Sequence, residues 1–423
     1  MTILVRVLLL VVLLSVGAGC APRGLPVKIS DATLPTSEEE KQLGAILSNA
    51  LLQYLGGEYP DSTLQHDINE IGRRLVGGGD NGPIVIRIAN HSDPLSLSLP
   101  GGVVILTRGL IQEFESEAQL AALLALEHGH FQAGYVTENM GFLVRGRAVL
   151  LHEVRPGEPG YSQRLALLRE VTELLRRKGY GSRNESSADV TAIDLLVRAG
   201  YPLDGFFELN DIWERQTRIA SVAGRSVHPY VLSSQRLQSV RDYIAASHPG
   251  YRGVADSDST AYVRQQENLL HYALAYERYN QARLAEVSND QSTALQLYHQ
   301  AIQQHPESML LTALGMAYLR GEDLIPARRY LRQAKMVDAD FYQSRLGLGY
   351  IHLRRSEWSD AVDELEASLS LLPTLQGVFL LAEAEEGRGD GVRARNLYQH
   401  LIEVDGRSAL GRAAAERLRH LPR

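Results

Sequence analysis

The stretch from Glu117 to His130, EAQLAALLALEHGH, most restricts what this chain can fold into. Ala118 to Leu126 is apolar on nearly every side, the pattern of a helix buried all round rather than of an amphipathic surface helix. Three ionisable residues, Glu127, His128 and His130, then arrive within four positions. Buried charge is costly unless it is paired or bound to a metal. The end of this helix is therefore a candidate active site.

The template it approaches is H-E-x-x-H. There, two His at i and i+4 share a helical face and bind zinc, and the Glu beside the first is the general base. Glu127 and His130 hold the second and fifth places, but Leu126 holds the first, and leucine cannot ligate. His128 is a poor substitute. At about 100° per residue it points roughly 200° away from positions 126 and 130. It reads as a structural histidine on the far side.

A chain of 423 residues predicts two or three folding units. With 44% hydrophobic and 22% charged residues it is globular in composition, and a net charge of −7 gives no support to a nucleic-acid partner. Arg6 and the apolar run Val7–Val16 make a targeting signal that leads through small residues to Cys20, the single cysteine. Val16-Gly-Ala-Gly-Cys20 resembles a bacterial lipobox, with Gly17 where Leu is usual. It reads as a lipid anchor on Cys20. A plain cleaved signal peptide and an uncleaved anchor helix are the alternatives. Ala21 after the cysteine, by resemblance to bacterial sorting rules, implies the outer membrane. One cysteine leaves no part for an intrachain disulfide.

After a linker at 21–35, Ser37-Glu-Glu-Glu40 predicts a capped helix through Leu55, and a second runs over about 64–75. Pro83–Ala89 and Val103–Thr107 read as strands, the latter introduced by Pro100-Gly-Gly102. Signals are mixed over 135–180, with helix at 161–178, then helices at 188–199, 205–222 and 233–246. Pro249–Thr260 is rich in Gly, Ser and Asp and reads as a boundary. Beyond it, Ala294, Ala327, Ala361 and Ala394 recur at steps of 33, 34 and 33 residues. Tyr298, Leu331, Leu365 and Tyr398 keep the same steps. Leu314-Gly315 and Leu348-Gly349 supply a small-residue contact in two of the units. This is the period of tetratricopeptide repeats, the alternative being a non-repeating helical bundle. Such an array offers a surface for a protein partner.

The order of motifs carries a further resemblance. Pro100-Gly-Gly102 precedes the helix. Glu185-Ser-Ser-Ala-Asp189 follows 55 residues after His130, then Ala199-Gly-Tyr-Pro202, His228-Pro229 and the repeats. The succession resembles the BepA-like zinc metallopeptidases, periplasmic members of the family that also holds HtpX and the CAAX prenyl protease. The resemblance covers roughly residues 35–245 and implies a gluzincin fold with bound zinc. Glu127 matches the general base, His130 the second His ligand and Glu185 the Glu ligand. Asp189 would orient a ligand one helical turn on, and His228 matches a loop histidine that approaches the metal. Val103, Val104 and Ile105 match the strand along whose edge a substrate peptide adds. The family's Asn-Ala-Phe-Ala-x-Pro-Gly-Gly segment appears here as Leu95-Ser-Leu-Ser-Leu-Pro-Gly-Gly102.

The expected architecture is mainly α with a small β-sheet, a zincin-like domain, followed by an α-solenoid of tetratricopeptide-like repeats. The expected bounds are 1–20 signal, 21–35 linker, 36–248 peptidase-like domain, 249–262 linker and 263–423 repeats. Two functional readings stay open. One is an outer-membrane lipoprotein of the bacterial periplasm, a zinc endopeptidase-like protein with altered or impaired ligation that handles unfolded or assembling envelope proteins. In it, His130, Glu185 and His228 would give the three protein ligands of a catalytic zinc site. The other is a non-catalytic scaffold that binds peptides through its cleft and repeats. In both, the membrane is reached through the lipid anchor only.

Overall fold

The computed structural model describes residues 37–77, 84–134, 136, 140–174, 182–222, 232–253 and 259–421. Cys20, the signal over 1–20 and the linker over 21–35 lie outside the described residues. Two compact units form, one from residues 37–147 and 171–271, the other from 148–170 and 272–421.

In the first unit α1, Ser37–Tyr54, starts with Glu38, Glu39 and Glu40, where acidic side chains suit the positive end of the helix dipole. Asp61 caps α2, Ser62–Val76, accepting from the backbone of Thr63 at 3.1 Å and of Leu64 at 3.0 Å. Three strands follow: β1, Val85–Ala89; β2, Ser96–Leu99; and β3, Val103–Thr107. They form a sheet in the order β1-β3-β2, with β1 parallel and β2 antiparallel to β3. Two side-chain amides of α2 occupy the outer edge of β1. Gln65 Nε2 donates to Ile86 O at 2.7 Å, and Gln65 Oε1 accepts from Ile88 N at 3.1 Å. Asn69 Oδ1 accepts from Ile86 N at 3.0 Å. An edge otherwise open to pairing is thereby satisfied.

The topology corrects one expectation. Val103, Val104 and Ile105 lie in the central strand, not at an edge. Val103 pairs with Val85 on one side and Leu99 on the other, Val104 with Ile86 and Ser98, and Ile105 with Arg87 and Leu97. Both ladders of β3 are occupied, so no peptide can add there.

After the single turn α3, Arg108–Ile111, comes the long buried helix α4, Glu117–Gln132, capped by Ser116 accepting from Gln119 N at 3.3 Å. Every residue from Ala118 to His130 is buried, as the all-round apolar pattern requires. Then follow α5, Gly141–Leu151; α6, Tyr161–Leu174; α7, Ser182–Ala199; α8, Asp204–Val222; α9, Ser234–Ser247; α10, Ser259–Gln265; and α11, Glu267–His271. Helices α7 and α8 and strand β2 pack on α4.

The second unit contains α12, Ala273–Val287; α13, Gln291–Gln304; α14, Ser308–Arg320; α15, Leu324–Val337; α16, Tyr342–Arg354; α17, Trp358–Leu371; α18, Leu375–Arg388; α19, Gly391–Asp405; and α20, Ala409–His420. The first eight pair into four hairpins. Each of Ala294, Ala327, Ala361 and Ala394 is buried in the second helix of its hairpin. The turns repeat as well. Asn289, Glu322, Ser356 and Gly389 all take positive φ, at 60°, 61°, 58° and 97°. The residue after each sends its N–H back into the first helix: Asp290 to Ala285 O, Asp323 to Tyr318 O, Glu357 to His352 O and Asp390 to Glu385 O, at 2.8–3.0 Å. This is the left-handed helix stop that glycine favours, built three times out of four without glycine. A methyl on Gly315 would stand 2.7 Å from Leu331 Cγ, and one on Gly349 2.6 Å from Leu365 Cγ, so the small residues set the helix approach.

The units interleave in sequence more than the expected bounds of 36–248, 249–262 and 263–423 allow. Tyr161 and Leu165 are buried in one core with Phe379, Leu397 and Tyr398, and Asn396 Nδ2 donates to Gly157 O at 3.4 Å. Residues 148–170 therefore belong with the repeats. Conversely, Gln266 Nε2 donates to Ile111 O at 3.0 Å and Asn268 Nδ2 to Asp61 Oδ2 at 2.9 Å. These bonds keep α10 and α11 with the sheet-bearing unit. The chain is mainly helical with one small sheet, followed by helical repeats. Among the described residues, no helix is long and apolar enough to cross a membrane.

Candidate active site

The site forms where β2 passes the last turns of α4. Side chains alternate along a strand, so Leu-Ser-Leu-Ser-Leu puts Ser96 and Ser98 on one face. That face meets Glu127. Ser96 Oγ donates to Glu127 Oε1 at 2.7 Å and Ser98 Oγ to Oε2 at 2.5 Å, while the Glu127 carbonyl lies 3.1 Å from the same Ser98 oxygen. Glu127 is 0% exposed. His130 Nδ1 lies 3.7 Å from Oε2, an ion-pair distance rather than a hydrogen bond. Burial pushes the Glu127 carboxyl up. His130 beside it and the two serine donors pull it down, and the balance holds it below the usual carboxylate range.

Leu126, at the first ligand position, is 3% exposed and brings hydrocarbon to the face it shares with His130. His128 is buried with its ring centroid 5.7 Å from that of Phe131. Gly129 between the histidines has a steric reason, because a Cβ there would stand 2.7 Å from Ala188 O. The bare glycine lets α4 and α7 approach, which brings the turn of α7 holding positions 185–189 beside the end of α4. Asp189 on that turn is 1% exposed, and its carboxylate is held in a fork by Arg236 of α9. Nε lies 2.5 Å from Oδ2 and Nη2 2.6 Å from Oδ1. Glu185 falls within α7, but its side chain lies outside the described residues, as does His228.

The structure thus brings Glu127 and His130 together and sets Asp189 on the adjoining helix. It also adds Ser96 and Ser98, which the sequence reading passed over. The signal for them was the strict Leu-Ser alternation at 95–99, and serine at the two places where the resembled segment has alanine.

Residues 88–251 match peptidase family M48. This stretch is an M48 peptidase domain. Over 120 residues the chain is 28% identical to the mitochondrial metalloendopeptidase OMA1 of Arabidopsis thaliana, covering 27% of this chain and 23% of that protein. It therefore spans less than a quarter of that relative's length. Among solved structures, the APC/C hetero-tetramer Cut9-Hcn1 aligns over 74% of this chain and 73% of its own, at 12% identity and a TM-score of 0.29, a likeness too slight to argue from.

M48 peptidases are zinc enzymes, so the donors of this M48 domain can be tested against that ion. A catalytic zinc takes three protein ligands and keeps one open position. On the α4 face Leu126 offers no donor, and both carboxylate oxygens of Glu127 already accept hydroxyl protons. Among the described residues, no three His, Cys, Asp or Glu donors converge on His130. The group that does come together is His352, Glu357 and Asp360 in the repeats, where His352 Nδ1 is 2.6 Å from Glu357 Oε2. On the α4 face of the M48 site the described residues supply one histidine donor, His130, while the side chains of Glu185 and His228 lie outside the described residues.

Proposed function

We propose that this chain keeps an M48 peptidase fold as a non-catalytic scaffold. It is held at the outer membrane of the bacterial periplasm by a lipid on Cys20. It works on unfolded or assembling envelope proteins, with a protein partner on the repeats. The observation that carries the non-catalytic part is Leu126, buried and apolar where the first metal ligand belongs. The serine bonds to Glu127 accompany it and give the retained carboxylate a structural use. The anchor and the periplasmic setting rest on the lipobox-like sequence at Val16–Cys20. A family-typical role in protein handling is consistent with both units.

One observation favours the catalytic alternative. The Gly129–Ala188 approach packs α7, the helix that carries position 185, against the end of α4 that carries His130, as a glutamate ligand from that helix would require. The two readings separate in an assay of the full-length chain on an unfolded protein substrate with zinc supplied. The scaffold reading predicts no cleavage above background and no change in Glu127→Gln. Turnover that Glu127→Gln abolishes would establish the enzyme.

A further inference from the structure

We propose that Ser96, Glu127 and Ser98 form a structural pin, in which the carboxylate expected to act as a base instead fastens strand β2 to helix α4. The inference rests on the metal-free reading of the site, and concerns what the retained glutamate does there. A carboxylate with no exposed surface needs compensation from donors or a cation. Here each oxygen has its own hydroxyl donor, at 2.7 and 2.5 Å, from side chains two residues apart on one strand. Ser96 is 7% and Ser98 0% exposed, so the bonds are shielded from competing water. The length of β2 gives the pin its purpose. The strand has four residues, and its backbone ladder is made to β3 alone. Two charge-assisted bonds to α4 give it a second attachment, perpendicular to the sheet.

A satisfied buried network of this kind is cooperative, so its members must be tested together. The measurement is backbone hydrogen exchange of the full-length chain, read on peptides covering 94–107 and 117–132. Each of Ser96→Ala and Ser98→Ala, in otherwise native protein, is expected to speed exchange in both peptides by about ten- to a hundredfold, the loss of one hydrogen bond to a charged group. In a Glu127→Gln background the same serine substitutions are expected to change exchange by less than about threefold, because the charged acceptor is gone. Should Glu127→Gln not fold, Ser96→Ala with Ser98→Ala takes its place, and the pin predicts an effect larger than the product of the two single ones. Serine substitutions that leave exchange unchanged, or that act equally with and without the Glu127 charge, overturn the pin. Neither readout requires zinc or peptidase activity, so a failure of the pin is distinguishable from a failure of the metal-free reading, which zinc content tests.

Discussion

Arg236→Met is expected to destabilise the sheet-bearing unit by about 3–5 kcal/mol, the usual cost of removing one partner from a buried ion pair. Asp189 is 1% exposed, and both its oxygens are engaged by the guanidinium fork. Without Arg236, the carboxylate keeps its desolvation penalty and loses its largest compensation. The same two residues can be removed together at far less cost, because an apolar pair of similar volume leaves no charge behind. Arg236→Met with Asp189→Leu should therefore recover most of the loss. Denaturant unfolding of the three variants measures both effects. If the single and double variants unfold alike, the fork is not what secures α9 to α7.

Gly129→Ala is the second large effect, and here two terms oppose each other. Alanine inside a helix is intrinsically better than glycine by about 1 kcal/mol. The added methyl, however, would stand 2.7 Å from the carbonyl oxygen of Ala188, a backbone atom that cannot move aside without moving α7. Forcing volume into a packed contact costs about 1–3 kcal/mol, sometimes more, so the clash is expected to outweigh the propensity gain. The melting temperature should fall, and fall further in Gly129→Val. A rise in Gly129→Ala would mean that α4 and α7 are not in backbone contact at this point.

Much of this architecture was legible because a strong physical period marked it. The helix at 117–132 was visible from an apolar run with no polar face, and such a run has few other places to go. The repeats were visible from Ala294, Ala327, Ala361 and Ala394, because each must fit under the same neighbouring helix. Strand β3 was read over its full span at Val103–Thr107, yet its position in the sheet was not, since sequence order does not determine strand order. Strand β2 was hidden for a different reason. Alternating Leu and Ser normally turns serine to water, whereas here the serine face turns inward onto a carboxylate. The placement of residues 148–170 was also beyond the sequence. Tyr161 and Leu165, one helical turn apart, mark an apolar face but do not say which surface it covers.

For the site itself, the sequence named Glu127, His130 and Asp189, and the structure explains what holds them. Asp189 is occupied by Arg236, and Glu127 by two serines. The missing ligand at Leu126 is accompanied by a hydrogen-bonded set around Glu127 and Asp189, both of which remain.

The most direct test of that conclusion is zinc content. The full-length chain is incubated with equimolar zinc, passed through a desalting column and analysed for metal, beside His130→Ala and Leu126→His. The expected result is well under one zinc per wild-type chain, no difference in His130→Ala, and a gain in Leu126→His. One firmly held zinc per wild-type chain that disappears in His130→Ala would contradict the account.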